Sequence, residues 1–294
     1  MKILVIGAKG QLGHEIKKQS HLSDHEFVFA DIQGDGESII QLDMTDPQQV
    51  QQFVTADTDV VINCAAYNDV EKAETDEQTA MKVNAYAPGL LADAAKKADA
   101  LLIHFSTDYV FDGKANTPYT EEDAPAPLSA YGRSKLAGEK AVQESGCRYM
   151  IFRTSWLYSL SGRNFFKTIA DKCAGSPSIK VVMDQTGTPT NAEDLAYFIM
   201  HIIENDMLDK TGLYHYSNDG VASWFDFAAA INQELGYTCS VHPCRTSEFP
   251  TKAARPAYSV MDKRKVKETF GVEVPHWHDS LRVFVMGYLF FQSI

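Results

Sequence analysis

Lys2-Ile-Leu-Val-Ile-Gly7-Ala-Lys-Gly10-Gln-Leu-Gly13 decides the fold of this 294-residue chain. A short apolar run stops at Gly7, two further glycines follow at Gly10 and Gly13, and residues 11–19 then carry helical periodicity. That is a strand, a tight turn and a helix. Glycines at these places let the chain reverse sharply, let a pyrophosphate approach the backbone, and let helix pack on strand. The first amides of the helix then face the anion.

Outward from the turn the alternation repeats. Residues 26–31 read as a second strand ending on a carboxylate, 47–54 as a helix capped by Thr45 or Asp46, and 59–64 as a third, buried strand. A helix over 77–98, a strand over 100–106, a helix over 129–145 and a strand over 147–153 complete the series. Apolar strands alternating with helices need a parallel sheet covered on both faces, and right-handed crossovers leave the doubly wound arrangement. After Trp156 the rhythm breaks: Gly and Pro punctuation increases, and helices over 194–205 and 224–235 are interleaved with short polar segments. The expected organisation is α/β. Residues 1–155 form a dinucleotide-binding domain, 156–294 form mainly a smaller C-terminal substrate-binding lobe, and part of about 186–215 returns to the first domain.

Bulk properties narrow the function. A net charge of −12 lacks the basic footprint that nucleic acid or an anionic membrane would need, so neither is an expected partner. A phosphorylated ligand stays open, because helix amides can hold it. Cys64, Cys147, Cys173, Cys239 and Cys244 are scattered with no Cys-x-x-Cys pair, which suggests neither a disulfide framework nor a zinc site. The apolar tail over 283–291 is half a membrane span, and the N-terminus enters the glycine turn too soon for a signal sequence. A cytoplasmic protein is the economical expectation.

Three places carry chemistry. Asp31, at the end of the second strand, can accept hydrogen bonds from an adenosine ribose and would repel a 2′-phosphate. It tilts the expected cofactor towards NAD(H), with NADP(H) still open because Lys9 is near in sequence. Tyr131-Gly-Arg-Ser-Lys135 opens a helix, where i and i+4 share a face. A lysine beside a phenol is expected to lower its pKa and make it a better acid. Ser106-Thr107-Asp108 ends the fourth strand, at the carboxyl edge where open α/β sheets bind ligands, and a hydroxyl there can donate to a substrate carbonyl.

Together with Asn63-Cys-Ala-Ala-Tyr67, Ser106-Thr-Asp-Tyr-Val-Phe-Asp-Gly113, Arg153-Thr-Ser-Trp156, Pro189-Thr190, Gly212-Leu-Tyr-His-Tyr-Ser-Asn218 and Arg255-Pro256, these motifs resemble the dTDP-4-dehydrorhamnose reductase family over almost the whole chain. The resemblance implies a Rossmann-type fold and NAD(P)H-dependent reduction of the C4 ketone of a nucleotide sugar, dTDP-4-dehydro-β-L-rhamnose above others. It implies that Gly10, Gln11 and Leu12 line the pyrophosphate, that Asp43 and Met44 flank the adenine, and that Ala65, Ala66 and Tyr67 lie along the cofactor. It makes Tyr131 the proton donor, Lys135 the partner of the nicotinamide ribose, and Thr107 the group that polarises the ketone. Asp108 and Trp156 would contact the sugar nucleotide.

The same Tyr/Lys machinery serves epimerases, dehydratases and reductases of other nucleotide sugars, and a non-catalytic regulatory relative keeps the fold. An intact Thr107/Tyr131/Lys135 set argues for an enzyme. Some family members carry glutamates at a magnesium-linked homodimer contact. Glu15 and Glu193 match two of these, but Gly287-Tyr-Leu-Phe-Phe-Gln-Ser-Ile294 offers no C-terminal carboxylate, so no metal ligands are expected and Mg2+ is in doubt. His276-Trp-His278, without a carboxylate or Cys partner at ligand spacing, reads as structural.

Overall fold

The strand before the glycine turn, β1 (Lys2–Ile6), is buried from Ile3 onward and sends alternate side chains to opposite faces of the sheet. Ile3 and Val5 enter one apolar core, Leu4 and Ile6 another. The structure, a computed structural model, describes residues 1–292. β1 leads through the turn into α1 (Gln11–Ser20) and β2 (Glu26–Asp31). A short strand, β3 (Ile39–Gln41), follows and was not anticipated from the sequence. α2 (Pro47–Phe53) is capped by Asp46, whose side chain accepts from the Gln48 amide, with Pro47 at its first position. β4 (Val60–Asn63) is buried throughout.

Next come α3 (Val70–Ala73), α4 (Glu77–Met81) and α5 (Ala87–Ala98). The helix expected over 77–98 is interrupted: residues Lys82–Tyr86 form a π turn between α4 and α5. Pro88, which has no amide to donate to a carbonyl one turn back, lies just beyond that turn. β5 (Leu101–Thr107) is buried along its whole length. α6 (Ala130–Ser145) is capped by the Ser129 hydroxyl on the Gly132 amide, and β6 (Arg148–Thr154) follows.

The C-terminal half contains β7 (Leu157–Tyr158), α7 (Phe165–Gly175), β8 (Ser178–Val182), β9 (Thr186–Gly187), β10 (Thr190–Asn191), α8 (Ala192–Glu204), β11 (Gly212–His215), β12 (Ala222–Ser223), α9 (Trp224–Glu234), β13 (Ser240–Cys244), α10 (Arg264–Phe270) and α11 (Trp277–Gln292). Seven strands pair in parallel in the order β11-β6-β5-β4-β1-β2-β3. Order reverses at β1, so the crevice above the carboxyl ends of β1 and β4 is the topological switch point.

One face of this sheet packs under α1, α8 and α10, with Ile16, Leu195, Ile199 and Phe270 in its core. The other packs under α2, α5 and α6, with Val50, Leu91 and Val142. α8 lies against α1, and β11 extends the sheet beyond β6. α10 joins the same core although it follows most of the second half of the chain. A separate core gathers Tyr158, Phe166, Phe227, Leu281 and Phe284 from β7, α7, α9 and α11, with the pair β8–β13 beside it. Among the described residues no helix is long and apolar enough to cross a membrane.

Candidate active site

The glycine turn is built by exclusion of side chains. Gly7 has φ +84°, and a Cβ there would lie 2.6 Å from the Ala65 nitrogen at the end of β4. A Cβ on Gly13 would lie 2.2 Å from the Gly7 carbonyl oxygen. Both contacts are with backbone, which cannot swing aside, so only glycine lets α1 sit this close to the strand edge. Gly10 is the N-cap of α1 and no side chain caps that end, leaving first-turn amides free to face an anion. These residues fit a dinucleotide pyrophosphate.

Around the turn, Asp31 Oδ2 accepts the Lys9 amide at 3.0 Å and Oδ1 the Gln33 amide at 3.3 Å. The Lys9 ammonium bonds the Gly34 carbonyl at 3.2 Å, one loop away. Asp43 Oδ1 accepts from both the amide and the hydroxyl of Thr45, which fixes the loop holding the buried Met44. Leu12 is buried in the core beneath the turn. Gln11 spends its side chain elsewhere: its Oε1 accepts from Ser159 at 3.1 Å and from Asn164 at 3.0 Å.

After β4, the Ala65 amide donates to Asn63 Oδ1, and Ala65, Ala66 and Tyr67 line the strand edge half-buried. The π turn supplies a residue that the sequence reading passed over. Asn84, 1 % exposed, accepts the Tyr67 amide at 2.8 Å and donates to the Tyr67 carbonyl and the Ser134 hydroxyl, both at 3.0 Å. One amide thus ties the Ala65–Tyr67 segment to α6. α6 can approach because a Cβ on Gly138 would lie 2.0 Å from the Asn84 carbonyl. An unbroken helix would hide Asn84, and hydrophobic periodicity does not register a widened turn.

Tyr131 and Lys135 stand on the first turns of α6. That helix is clamped to β6 by a buried, two-pronged ion pair, Arg153 Nε to Glu139 Oε1 at 2.9 Å and Arg153 Nη2 to Oε2 at 2.7 Å. The Lys135 ammonium, buried, donates to the Phe105 carbonyl at 2.6 Å. Burial lowers its pKa to about 8, with Glu139 pulling the other way, so the cation is the major form at neutral pH. Tyr131 is half-buried, 5.7 Å from the Tyr109 ring in an edge contact and 3.5 Å from Asn68 Oδ1.

The expected lowering of the Tyr131 pKa is corrected here. Burial pushes the phenol well above its ordinary value; a hydrogen bond with Thr107 opposes this only in part, and the Asp108 charge adds to the rise. The lysine spends its charge on the Phe105 carbonyl, and desolvation wins. The consequence is a phenol that keeps its proton across the physiological range.

Thr107, at the carboxyl edge of β5, accepts the Tyr109 amide at 3.2 Å, and its hydroxyl donates to Asp108 Oδ1 at 3.1 Å. Asp108 is 1 % exposed. Trp156 follows β6 with φ +47°, a backbone state that bulky residues rarely adopt and that costs about 1–3 kcal/mol. Its carbonyl accepts the Thr190 amide at 3.2 Å, and its indole stacks on Trp224 with centroids 3.5 Å apart and planes 7° apart. Trp224 also borders a groove of about 370 Å³ lined by Phe165, Lys172, Lys180, Phe249 and Arg255. The sequence reading passed over Trp224; its partnership with Trp156 spans two elements that share no motif.

The sequence leaves Mg2+ in doubt, and the two glutamates concerned are Glu15 and Glu193. Glu15 and Glu193 do approach one another, but the Lys18 ammonium lies between them, 2.7 Å from Glu193 Oε1 and 3.7 Å from Glu15 Oε2. Glu15 is buried, and desolvation raises its pKa. A divalent cation there would compete with the Lys18 ammonium for both carboxylates. No cluster of three or more His, Cys, Asp or Glu suited to a metal occurs among the described residues. Ser293 and Ile294, part of the tail inspected for a third carboxylate, lie outside those residues.

Comparison with known proteins places this site in a family. Residues 1–289 match the family model described as RmlD substrate binding domain. The dTDP-4-dehydrorhamnose reductase of Burkholderia thailandensis is 36% identical over 98% of this chain and 99% of its own length. The crystal structure of a dTDP-4-dehydrorhamnose reductase from Clostridium acetobutylicum superposes with a TM-score of 0.92 at 41% identity, covering 98% of this chain and 100% of that one. That of the Bacillus anthracis dTDP-4-dehydrorhamnose reductase in complex with NADP superposes with a TM-score of 0.88 at 34% identity, covering 97% and 99%.

Proposed function

The chain belongs to the dTDP-4-dehydrorhamnose reductase family, and from that premise we propose that it reduces the C4 ketone of dTDP-4-dehydro-β-L-rhamnose to the alcohol of dTDP-β-L-rhamnose. A bound nicotinamide dinucleotide supplies the hydride that adds to C4. The C4 oxygen then needs one proton, and Tyr131 provides it. Its raised pKa suits a group that must arrive protonated, and the clamp of α6 on β6 keeps it beside Thr107. Lys135, still cationic at neutral pH, holds the nicotinamide ribose. Thr107 completes the polar surround of the ketone.

Gly7, Gly10, Gln11, Leu12 and Gly13 would hold the cofactor's pyrophosphate, Asp31 its adenosine ribose, Asp43 and Met44 its adenine, and Ala65, Ala66 and Tyr67 would line the rest. The unpaired first-turn amides of α1 support the pyrophosphate placement. Asp31 favours NAD(H), and NADP(H) is accommodated with Lys9 at hand. Trp156 contacts the sugar nucleotide from residues 156–294, the mainly substrate-binding lobe, while residues 1–155 bind the dinucleotide. The groove beside Trp224, with two lysines, an arginine and two phenylalanines, suits the nucleotide part of that substrate. The enzyme works in the cytoplasm. A homodimer belongs to this reading as well.

Tyr131 carries this reading, as the protonated phenol at the edge of β5. In Tyr131→Phe, turnover falls by about 10²- to 10⁴-fold while the dissociation constant for NADH stays within about twofold. Stopped-flow reduction of the 4-keto sugar nucleotide and a fluorescence titration measure the two quantities. Near wild-type turnover would remove Tyr131 as the acid.

A further inference from the structure

Asp108 has no free oxygen. Oδ1 accepts the Thr107 hydroxyl at 3.1 Å and Oδ2 accepts the Ser259 hydroxyl at 2.5 Å. Ser259 is itself 2 % exposed and arrives from 151 residues away, pinned by its amide on the Thr186 carbonyl at 2.7 Å. Thr107 is equally committed: its oxygen takes the Tyr109 amide and its proton goes to Asp108. A hydroxyl has one proton and two lone pairs, and an ionised carboxylate can only accept. With Asp108 ionised, the Thr107 proton goes to Asp108 and none is left for a substrate carbonyl.

We propose that Asp108 and Ser259 are positioning residues for the reduction: they set the direction of the Thr107 hydroxyl, and with it whether Thr107 can join Tyr131 as a second donor to the substrate oxygen. While Asp108 is ionised, Thr107 has no proton for the ketone. When Asp108 is protonated, its own O–H donates to Thr107. The Thr107 proton is then released towards the C4 oxygen, the oxygen that Tyr131 protonates. Two donors then converge where negative charge develops.

Burial pushes the Asp108 carboxyl up to about 6, while the Ser259 and Thr107 hydroxyls pull it down. The other titratable and charged groups around it are the phenols of Tyr109 and Tyr131, with Arg255 and its ion-pair partner Glu71 beyond Tyr109. Both phenols are shifted upward and stay neutral below pH 9, and the hydrogen bond from Arg255 helps hold the Glu71 carboxyl below its ordinary value. The switch therefore belongs to Asp108.

This inference rests on Tyr131 being the acid, and the tests separate the two. The profile of kcat/KM against pH, over about pH 5 to 7 and so below the Lys135 titration, is expected to rise as pH falls through an inflection near 6. In Ser259→Ala the carboxylate loses a donor, its pKa climbs, and the inflection moves up by about one pH unit. Ser259→Thr keeps a hydroxyl and returns it towards the wild-type position. Asp108→Asn removes the inflection. If Ser259→Ala does not fold, Ser259→Cys, a weaker donor, carries the same upward shift. A flat wild-type profile, or Ser259→Ala with an unmoved inflection and only a lower Tm, overturns the proposal. Undiminished turnover in Tyr131→Phe would instead overturn the acid assignment, whatever the pH profile does.

Discussion

The cofactor side of the site is made of backbone, and the substrate side is made of side chains. At the glycine turn the decisive contacts are those a Cβ would destroy, and the groups proposed to bind are main-chain amides within a few residues of one another. On the substrate side, Asp108 meets Ser259, Trp156 meets Trp224, and the groove draws on α7, β8, α9 and the segment around Arg255. A backbone site tolerates almost no change at its glycines and little specificity can be written into it. A side-chain site can be rewritten one residue at a time, which is where substrate choice resides.

Substitutions can break that contrast in order of severity. Gly13→Val puts side-chain carbon where the Gly7 carbonyl stands 2.2 Å away. It is expected to weaken NADH binding by at least about 100-fold and to cost about 3 kcal/mol of stability. Fluorescence titration and thermal unfolding measure both, and tight NADH binding by a folded Gly13→Val protein would dissolve the distinction. Trp224→Ala removes the ring stacked on Trp156, so KM for the sugar nucleotide should rise about tenfold with the NADH dissociation constant unmoved; the lost ring pair itself costs about 1 kcal/mol. A change in cofactor affinity as large as the change in KM would merge the two sides. The smallest effect belongs to Asp31→Asn, at the side chain proposed to meet the adenosine ribose. Losing its charge should raise the NADPH-to-NADH ratio of kcat/KM by about fivefold, about 1 kcal/mol of relieved repulsion. An unchanged ratio would assign cofactor choice to the backbone alone.

The same contrast explains what was legible in the sequence. β1, β2, β4, β5 and β6 are readable as apolar runs between helices because each is buried on both faces. β3 is not: three residues in a glycine- and serine-rich loop pair with β2 without any periodicity of their own. The π turn at Lys82–Tyr86 is also silent, because inserting a wider turn changes hydrogen bonds rather than composition. Gly7, Gly13, Tyr131 and Lys135 announce themselves by spacing. Asn84, Trp224 and Ser259 act through partners 17 to 151 residues distant, and no local pattern marks them. The direction of the Tyr131 pKa was misjudged for a related reason. Sequence proximity names the neighbouring charge but not the depth of burial, and here burial dominates.

Gln11 belongs to both sides at once. Its backbone sits in the first turn of α1, while its amide group grips Ser159 and Asn164 of the second half. Thermodynamic linkage makes such a contact two-way. If dinucleotide binding firms up Gln11 and thereby favours the arrangement that receives the sugar nucleotide, the sugar nucleotide must tighten dinucleotide binding by the same factor. An inhibitor that occupies only one half would then inherit its potency from how full the other half is in the cell.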